Sequence, residues 1–370
     1  MTQNLYIDIN VLQTVPSSNI NRDDNGAPKT ALYGGVTRSR VSSQSWKYAM
    51  RKGFETDNIE NGIRTKKVVE ELSKDLAAVD ESLDDKSATQ KAVAVLKKFG
   101  IKFETEKGNK NKSSALLMVS HGQIKKFAKY VTAHDILKQK NITSKTKKEI
   151  EKVLSGDRTL DLALFGRMVA DDAELNVEGA AQVAHAISTH EVVPEFDYFT
   201  ATDDLSKKSE SGAAMLGTIE YNSATLYRYA NLNVKELSEN LGTTNTVEAA
   251  KDFIKVFIST MPTGKQHTFA NKTVPNYVMI NVRTDTPVNL ITAFETPVSA
   301  DNGYVAKSIE ALETEYDETQ QFVDAPLLTV VLAERKYNSI IENRVDKLSE
   351  LLSQVTDVVS KAVQDEDHND

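Results

Sequence analysis

The sequence predicts an α+β fold, an antiparallel sheet with packed helices that carries two grafted elements. Three observations predict it. Leu5, Ile7, Ile9 and Val11 alternate with polar residues, the pattern of a half-buried strand. From about 56 to 160, lysine and glutamate dominate and apolar residues recur at helical spacing, so a helical block interrupts the chain. Segments 196–201 and 219–232 read as strands flanking a polar, charged stretch at 203–212, which predicts a long hairpin.

The elements follow in order. Leu5-Tyr6-Ile7-Asp8-Ile9-Asn10 is similar to the first-strand motif of RNA-recognition folds, though any amphipathic strand can read so. A polar loop, 16–30, comes next. Ser42-Ser43-Gln44 opens a helix: serine caps well, Trp46, Ala49 and Met50 form an apolar face, Lys47 and Arg51 share the other, and Gly53 supplies a stop. In the helical block Val68, Val69, Leu72 and Leu76 mark one helix. Segments 86–99, 121–139 and 144–154 mark others, and 105–114 is a loop. Residues 160–168 are short and apolar and read as a central strand, and 176–190 reads as a helix through Ala180, Ala181, Val183, Ala184 and Ile187. Beyond the hairpin the pattern gives a helix at 246–260, strands near 265–271 and 276–283, and a Pro-punctuated strand or loop at 287–298. A helix at 303–316, a strand at 326–333 and a final helix at 338–363 with an acidic tail complete the chain.

Composition excludes several classes. The chain has 370 residues, 40% hydrophobic and 26% charged, the range of a folded protein of about two domains. No stretch approaches the ~18 apolar residues that span a bilayer, and the first residues lack the basic and apolar regions of a signal peptide, so no membrane partner and a cytoplasmic location are expected. With no cysteine there is no disulfide, zinc ribbon, iron–sulfur cluster or thiol catalysis. The net charge is −8, but its distribution is uneven. Between Lys29 and Lys52 there are six basic residues (Lys29, Arg38, Arg40, Lys47, Arg51, Lys52) and no acid, and 97–152 holds fifteen lysines against five acids. Such a chain can hold a polyanion locally while staying soluble; the alternative for the second run is a solvated helix face.

Few motifs suit catalysis. His185 and His190 are five apart, the wrong spacing for two ligands on one helix face, and His121, His134 and His267 lack a carboxylate at metal-ligand spacing. No metal and no cofactor are expected. Asp23-Asp24 and Asp203-Asp204 are adjacent acids of the kind that hold Mg²⁺, and equally of the kind that shape turns. The strongest signal is the block from Gly34-Gly35 to Arg51. Its glycines allow close backbone approach to a ligand, the helix start at 42–44 offers amides and hydroxyls to a phosphate, and Lys47 and Arg51 extend a cationic line. In the hairpin, acids outnumber bases, so Phe199, Thr200, Met215 and Leu216 suit insertion between bases, or packing on a neighbouring subunit, better than charge neutralisation.

Taken together, Asn21-Arg22-Asp23-Asp24, Gly34-Gly35, Arg40-x-Ser-Ser-Gln-Ser-x-Lys47-x-Ala-Met-Arg51, Gly166-Arg167-Met168, Ala184-His-Ala-Ile-x-Thr-His190, Phe199-Thr-Ala-x-Asp-Asp204, Leu216-Gly-Thr and Tyr227-Arg-Tyr-Ala-Asn231 closely resemble one family. It is the CasC family, backbone subunits of the type I-E CRISPR surveillance complex (Cascade). Lys265-Gln266 and Ala293-Phe294-Glu295 continue the match, which is weak in the helical block and poor after about 305. The resemblance implies an RNA-recognition-like (ferredoxin-like) palm over 1–55, 159–190 and 227–370, helical fingers over 56–158 and a hairpin thumb over 191–226. It implies a non-catalytic subunit that polymerises along CRISPR guide RNA, displaces bases periodically and presents the guide to target DNA beside further copies of itself and other Cascade subunits. Carried over, the guide grip falls on Arg22, Lys29, Arg40, Ser42, Gln44, Lys47 and Arg51, with Lys265 and Gln266. The wedge falls on Met168, Phe199, Thr200 and Leu216. Where the family reads Lys-Arg-Arg-Val-Arg, this chain has Val36-Thr37-Arg38-Ser39-Arg40, with fewer cations. Lys107, Lys110 and Lys112 are candidates for target DNA. The competing reading is a metal-dependent ribonuclease of the related superfamily using Asp23 or Asp24.

Overall fold

A computed structural model describes residues 4–104, 111–114, 116–139, 142–168, 176–201, 215–300 and 302–367. In chain order the elements begin with β1 (Tyr6–Ser18), β2 (Thr30–Tyr33), β3 (Val36–Val41), α1 (Ser43–Thr56) and β4 (Ile63–Thr65). There follow α2 (Val68–Val79), α3 (Asp85–Lys98), β5 (Leu117–Val119), α4 (His121–Ala133), α5 (Ser144–Ser155) and α6 (Leu160–Phe165). Next are β6 (Ala181–Val183), β7 (Ala186–Ser188), β8 (Glu195–Ala201), β9 (Met215–Asn233), α7 (Val234–Leu241), α8 (Thr243–Ser259) and α9 (Gln266–Phe269). The chain ends with β10 (Tyr277–Arg283), a 3-10 turn (Leu290–Phe294), α10 (Val305–Thr319), β11 (Leu328–Ala333), β12 (Arg344–Val345) and α11 (Leu348–Asp367). The class is α+β, as the sequence predicts.

Two compact units form. The first comprises Met1–Gly53, Gln182–Val234 and Val247–Asp370. Its sheet runs β12-β11-β10-β1-β9-β7-β3-β2, with β6 and β8 pairing β9 off this path. β1 lies at the centre, antiparallel to both β10 and β9. Its polar residues are not solvated. Asp8 and Asn10 are as buried as Ile7 and Ile9, so the strand is covered on both faces rather than one. Leu12, Tyr227, Tyr229, Tyr277 and Met279 pack under Leu290, Phe294, Ile309 and Leu312, the 3-10 turn and α10 forming the cover. The buried polar groups there pair internally. Tyr229 donates to Asp8 Oδ1 (2.6 Å), the Val288 amide donates to Asp8 Oδ2 (3.1 Å), and Tyr227 donates to Asn10 Oδ1 (2.8 Å). Desolvation of its carboxylate raises the Asp8 pKa to about 6.

The second unit comprises Phe54–Ala181 and Lys235–Thr246. Here α2, α3, α4 and α5 close on a core that includes Leu72, Leu76, Val95, Phe127, Val131 and Ile150. Ser120 and Gln123 make a reciprocal capping box at α4, and Asp84 caps α3 through the Ser87 amide (2.8 Å). β4 and β5 pair antiparallel beside these helices.

Several elements differ from expectation. Residues 160–165 are helix α6, not a strand. The run contains the fully buried Asp161, whose carboxylate accepts from the Gly62 amide (2.8 Å) and the Thr159 hydroxyl (2.7 Å), and Gly166 at φ +73° ends it. Residues 176–190 hold β6 and β7 instead of a helix, because sheet pairing with β9 and β3 overrides the helix propensity of alanine. The strand expected near 265–271 is the short helix α9, and the final helix starts at Leu348, after β12. The β2–β3 hairpin and α7 have no counterpart in the sequence reading. Gly53 lies inside α1; a Cβ there would meet Thr260 Cγ2 at 2.6 Å and Val256 Cγ1 at 2.8 Å, so glycine permits close helix packing.

Candidate nucleic-acid interface

The loop joining β1 to β2 is folded on itself. Asp23 Oδ1 accepts from the Asn25 (2.9 Å) and Ala27 (3.0 Å) amides, and Arg22 bridges Pro28. Asn21 ties this loop to its surroundings. Its carbonyl accepts the Lys29 amide (2.8 Å) and its side chain accepts the Ser42 amide (2.8 Å) at the start of α1. The next strand is held as well, since the Arg40 amide donates to the Lys29 carbonyl (2.9 Å). From the other side Gly264 approaches so closely that a Cβ would lie 2.3 Å from the Ile20 carbonyl oxygen. Arg22, Lys29, Arg40, Ser42, Lys265 and Gln266 are thereby gathered around one end of the first unit.

The cations within this group have different fates. Arg38 is fully buried. It donates to the carbonyls of Tyr33 (3.1 Å), Ser188 (3.1 Å) and Phe294 (2.8 Å), so it stitches three segments together. Arg40, two residues on, is half-buried; Nε donates to the Thr30 carbonyl (3.0 Å) and Nη1 to His185 Nδ1 (3.1 Å). Burial and the neighbouring Arg40 and Lys29 cations push the His185 pKa down. Gly34-Gly35 forms the β2–β3 turn. Both residues have positive φ in the β2–β3 turn, and Gly34 packs on chain, where a Cβ would fall 1.7 Å from the Glu295 carbonyl oxygen.

α1 begins where the Ser42 carbonyl accepts the Ser45 (3.0 Å) and Trp46 (3.2 Å) amides. Ser42 is buried, Gln44 and Tyr48 are exposed, and Lys47 and Arg51 are half-buried one and two turns along. Burial lowers the Lys47 pKa. The apolar face is the expected one: Trp46, Ala49 and Met50 are buried, with the Arg228 guanidinium 3.9 Å from the Trp46 ring centroid. Arg228 also donates to Gln13 Oε1 (2.5 Å) and the Phe257 carbonyl, so the Tyr227-Arg-Tyr-Ala-Asn231 motif is an internal network. His190 is likewise structural. It stacks on Tyr304 (centroids 3.6 Å apart) and accepts the Thr225 amide at Nε2 (3.1 Å).

In the hairpin, β8 and β9 pair with Thr200 opposite Leu216 and Phe199 opposite Gly217. Strand alternation puts Thr200 and Leu216 on one face with the exposed Phe196 and Tyr198, and Phe199 on the other. Gly217 makes room for the Phe199 ring, whose Cζ would stand 2.3 Å from a Cβ. The Asp203-Asp204 pair and the rest of 203–212 lie outside the described residues, as do Lys107 and Lys110. Lys112 is half-buried and its carbonyl accepts the Glu104 amide (2.9 Å). Met168 in the second unit is 84% exposed. Among the described residues no cluster of three His, Cys, Asp or Glu side chains suits a metal ion, and no helix is long and apolar enough to cross a membrane. Sequence reasoning did not name His185 as a site residue. It appears there inside the Ala184-His-Ala-Ile-x-Thr-His190 motif; in the structure the β3–β7 register ends at Val41 opposite Ala186, with Ser42 and His185 just beyond it.

The chain matches the CT1975-like protein family over residues 7–357. Two solved structures are similar throughout. One, from a CRISPR RNA-guided surveillance complex in a pre-nicking state, is 33% identical, with a TM-score of 0.84 over 95% of this chain and 99% of that one. Another, from a CRISPR RNA-guided surveillance complex, is 30% identical, with a TM-score of 0.75 over the same shares. No curated protein matches. Length of match and identity agree, and the chain belongs to the CT1975-like protein family.

Proposed function

We propose that this chain is a non-catalytic backbone subunit of a CRISPR surveillance complex, of the type I-E CasC kind, and that it grips guide RNA by its phosphates. One observation carries the reading: the acid-free run from Lys29 to Lys52 folds so that Lys29, Arg40 and the start of α1 at Ser42 lie together at one end of the sheet unit, with Lys47 and Arg51 one and two turns along that helix. Phosphate contacts of this kind bind without reading sequence. Copies would line up along the guide in the cytoplasm beside other subunits of the complex, leaving bases free to pair with target DNA. Thr200 and Leu216, paired across the hairpin, are the better wedge candidates, with Phe199 supporting them from the opposite face. Asp23 spends its carboxylate on the turn that shapes the loop, which favours RNA binding over a ribonuclease reading.

A salt titration tests this. Lys47→Gln with Arg51→Gln removes two phosphate contacts, and the slope of log K against log salt for single-stranded RNA should flatten by about 1.4. RNA incubated with Mg²⁺ or Mn²⁺ should stay intact, before and after Asp23→Asn. An unchanged slope, or metal-dependent cleavage that Asp23→Asn abolishes, refutes the assignment.

A further inference from the structure

We infer that His185 forms, with Lys29 and Arg40, a proton-linked phosphate site, so that RNA binding at this end of the sheet takes up a proton. The inference rests on the RNA-binding reading above and names a residue and a regulation that it lacks.

The geometry supplies the argument. Arg40 is held from two sides, Nε on the Thr30 carbonyl and Nη1 on His185 Nδ1. An arginine donates only, so Nδ1 must be the acceptor and the ring proton resides on Nε2 in the neutral form. The Arg40 guanidinium has five N–H donors, and these two bonds use only part of them. Lys29 is tied to the same place, its carbonyl receiving the Arg40 amide. The charged groups that act on His185 are these two cations, from the loop before β2 and from β3. No acid lies between Lys29 and Lys52 to balance them.

Arg40 and His185 thus meet beside Lys29, and the described charges that act on the ring are cations. Without ligand, burial and then the Arg40 and Lys29 cations disfavour the protonated imidazole. A phosphate seated there reverses that balance. The ring then takes up a proton, Nδ1 becomes a donor, and Arg40 turns its Nη1 from the ring to the phosphate. The proton comes from solvent and no bond within the chain breaks covalently. Affinity should therefore rise as pH falls, through a window bounded below by the depressed pKa of the free ring and above by the raised pKa of the bound ring. One proton corresponds to at most about tenfold per pH unit.

The test uses His185→Asn in the full chain. Asparagine places an amide oxygen near the Nδ1 position, so Arg40 keeps an acceptor while the titration is lost. The probe is fluorescently labelled single-stranded oligouridine at fixed ionic strength, titrated from about pH 8 to about pH 5.5, either side of the histidine range. The variant should match the parent chain at the alkaline end and bind several-fold more weakly at the acidic end. Asp8 and His190 titrate equally in both proteins and cancel. If both proteins bind RNA and the variant follows the parent at every pH, the proton-linked site is refuted and the RNA reading stands. If neither binds RNA at any pH, both are refuted. If the variant is weaker by the same factor at every pH, His185 only positions Arg40 and proton uptake is refuted.

Discussion

Gly34 and Gly35 are neighbours in one turn, yet alanine should affect them very differently. Both have positive φ, +59° and +77°, so either substitution incurs about 1–2 kcal/mol of backbone strain. Gly35 faces open space and nothing further is expected there. At Gly34 the new Cβ would sit 1.7 Å from the Glu295 carbonyl oxygen, far inside any contact distance, and that oxygen is backbone. The chain at 294–295 must therefore retreat. In doing so it pulls the Phe294 carbonyl from Arg38 Nη2, now 2.8 Å away. A hydrogen bond to a charged group contributes about 1.5–3 kcal/mol, so Gly34→Ala should cost about 2.5–5 kcal/mol in total. The assay is urea unfolding followed by tryptophan fluorescence. The chain has one tryptophan, Trp46, buried in the sheet unit, so the signal reports that unit. RNA affinity should fall with Gly34→Ala as well, because Arg38 and Arg40 share β3. Equal destabilisation by the two alanines, within about 1 kcal/mol, would refute the close-packing argument and with it the link between the turn and the site.

Two further outcomes are expected. Asp8, with a folded pKa near 6 against 3.8, binds a proton in the folded chain that the unfolded chain has lost, so its contribution makes stability rise as pH falls through that window; Asp8→Asn should remove this rise in a thermal-unfolding series, and an unchanged series contradicts it. Thr200→Ala with Leu216→Ala should leave guide retention nearly intact but alter the periodic chemical reactivity of displaced bases, whereas a uniform reactivity profile in the unsubstituted assembly argues against any wedge.

The parts of the fold legible in the sequence are those whose local pattern and tertiary setting agree. The helices α3, α5 and α10, and α1 with its serine start, have the period of the face they bury, and the exposed hairpin β8–β9 is marked instead by two strand-like runs about a polar stretch. Two of the misread stretches are largely buried. In 160–165 and 181–188 the leucine or alanine positions fit helix and strand alike, and pairing with β9 or the chain reversal at Gly166 decides. β1 shows a subtler failure. Its alternation is real, but the polar half is buried under residues 288–294, which contribute the Val288 amide that receives Asp8.

The same distant segment explains why a charge run could mark the site but not sort its members. Arg38 and Arg40 are two apart on β3 and so lie on one side of it. Alternation treats them alike. What separates them is chain about 250 residues away: the Phe294 carbonyl closes on Arg38 and turns a surface cation into a structural bolt, while Arg40 lies beyond that cover and meets His185 instead. His185 in turn is brought in by the β3–β7 register. A run of six cations in sequence is therefore one buried clamp and five groups that are half-buried or exposed. The family's extra cations at 36 and 37 are absent here, at the hairpin end that faces away from the start of α1. On the proposed reading the grip would then fall to Lys29, Arg40 and α1, with His185 beside Arg40.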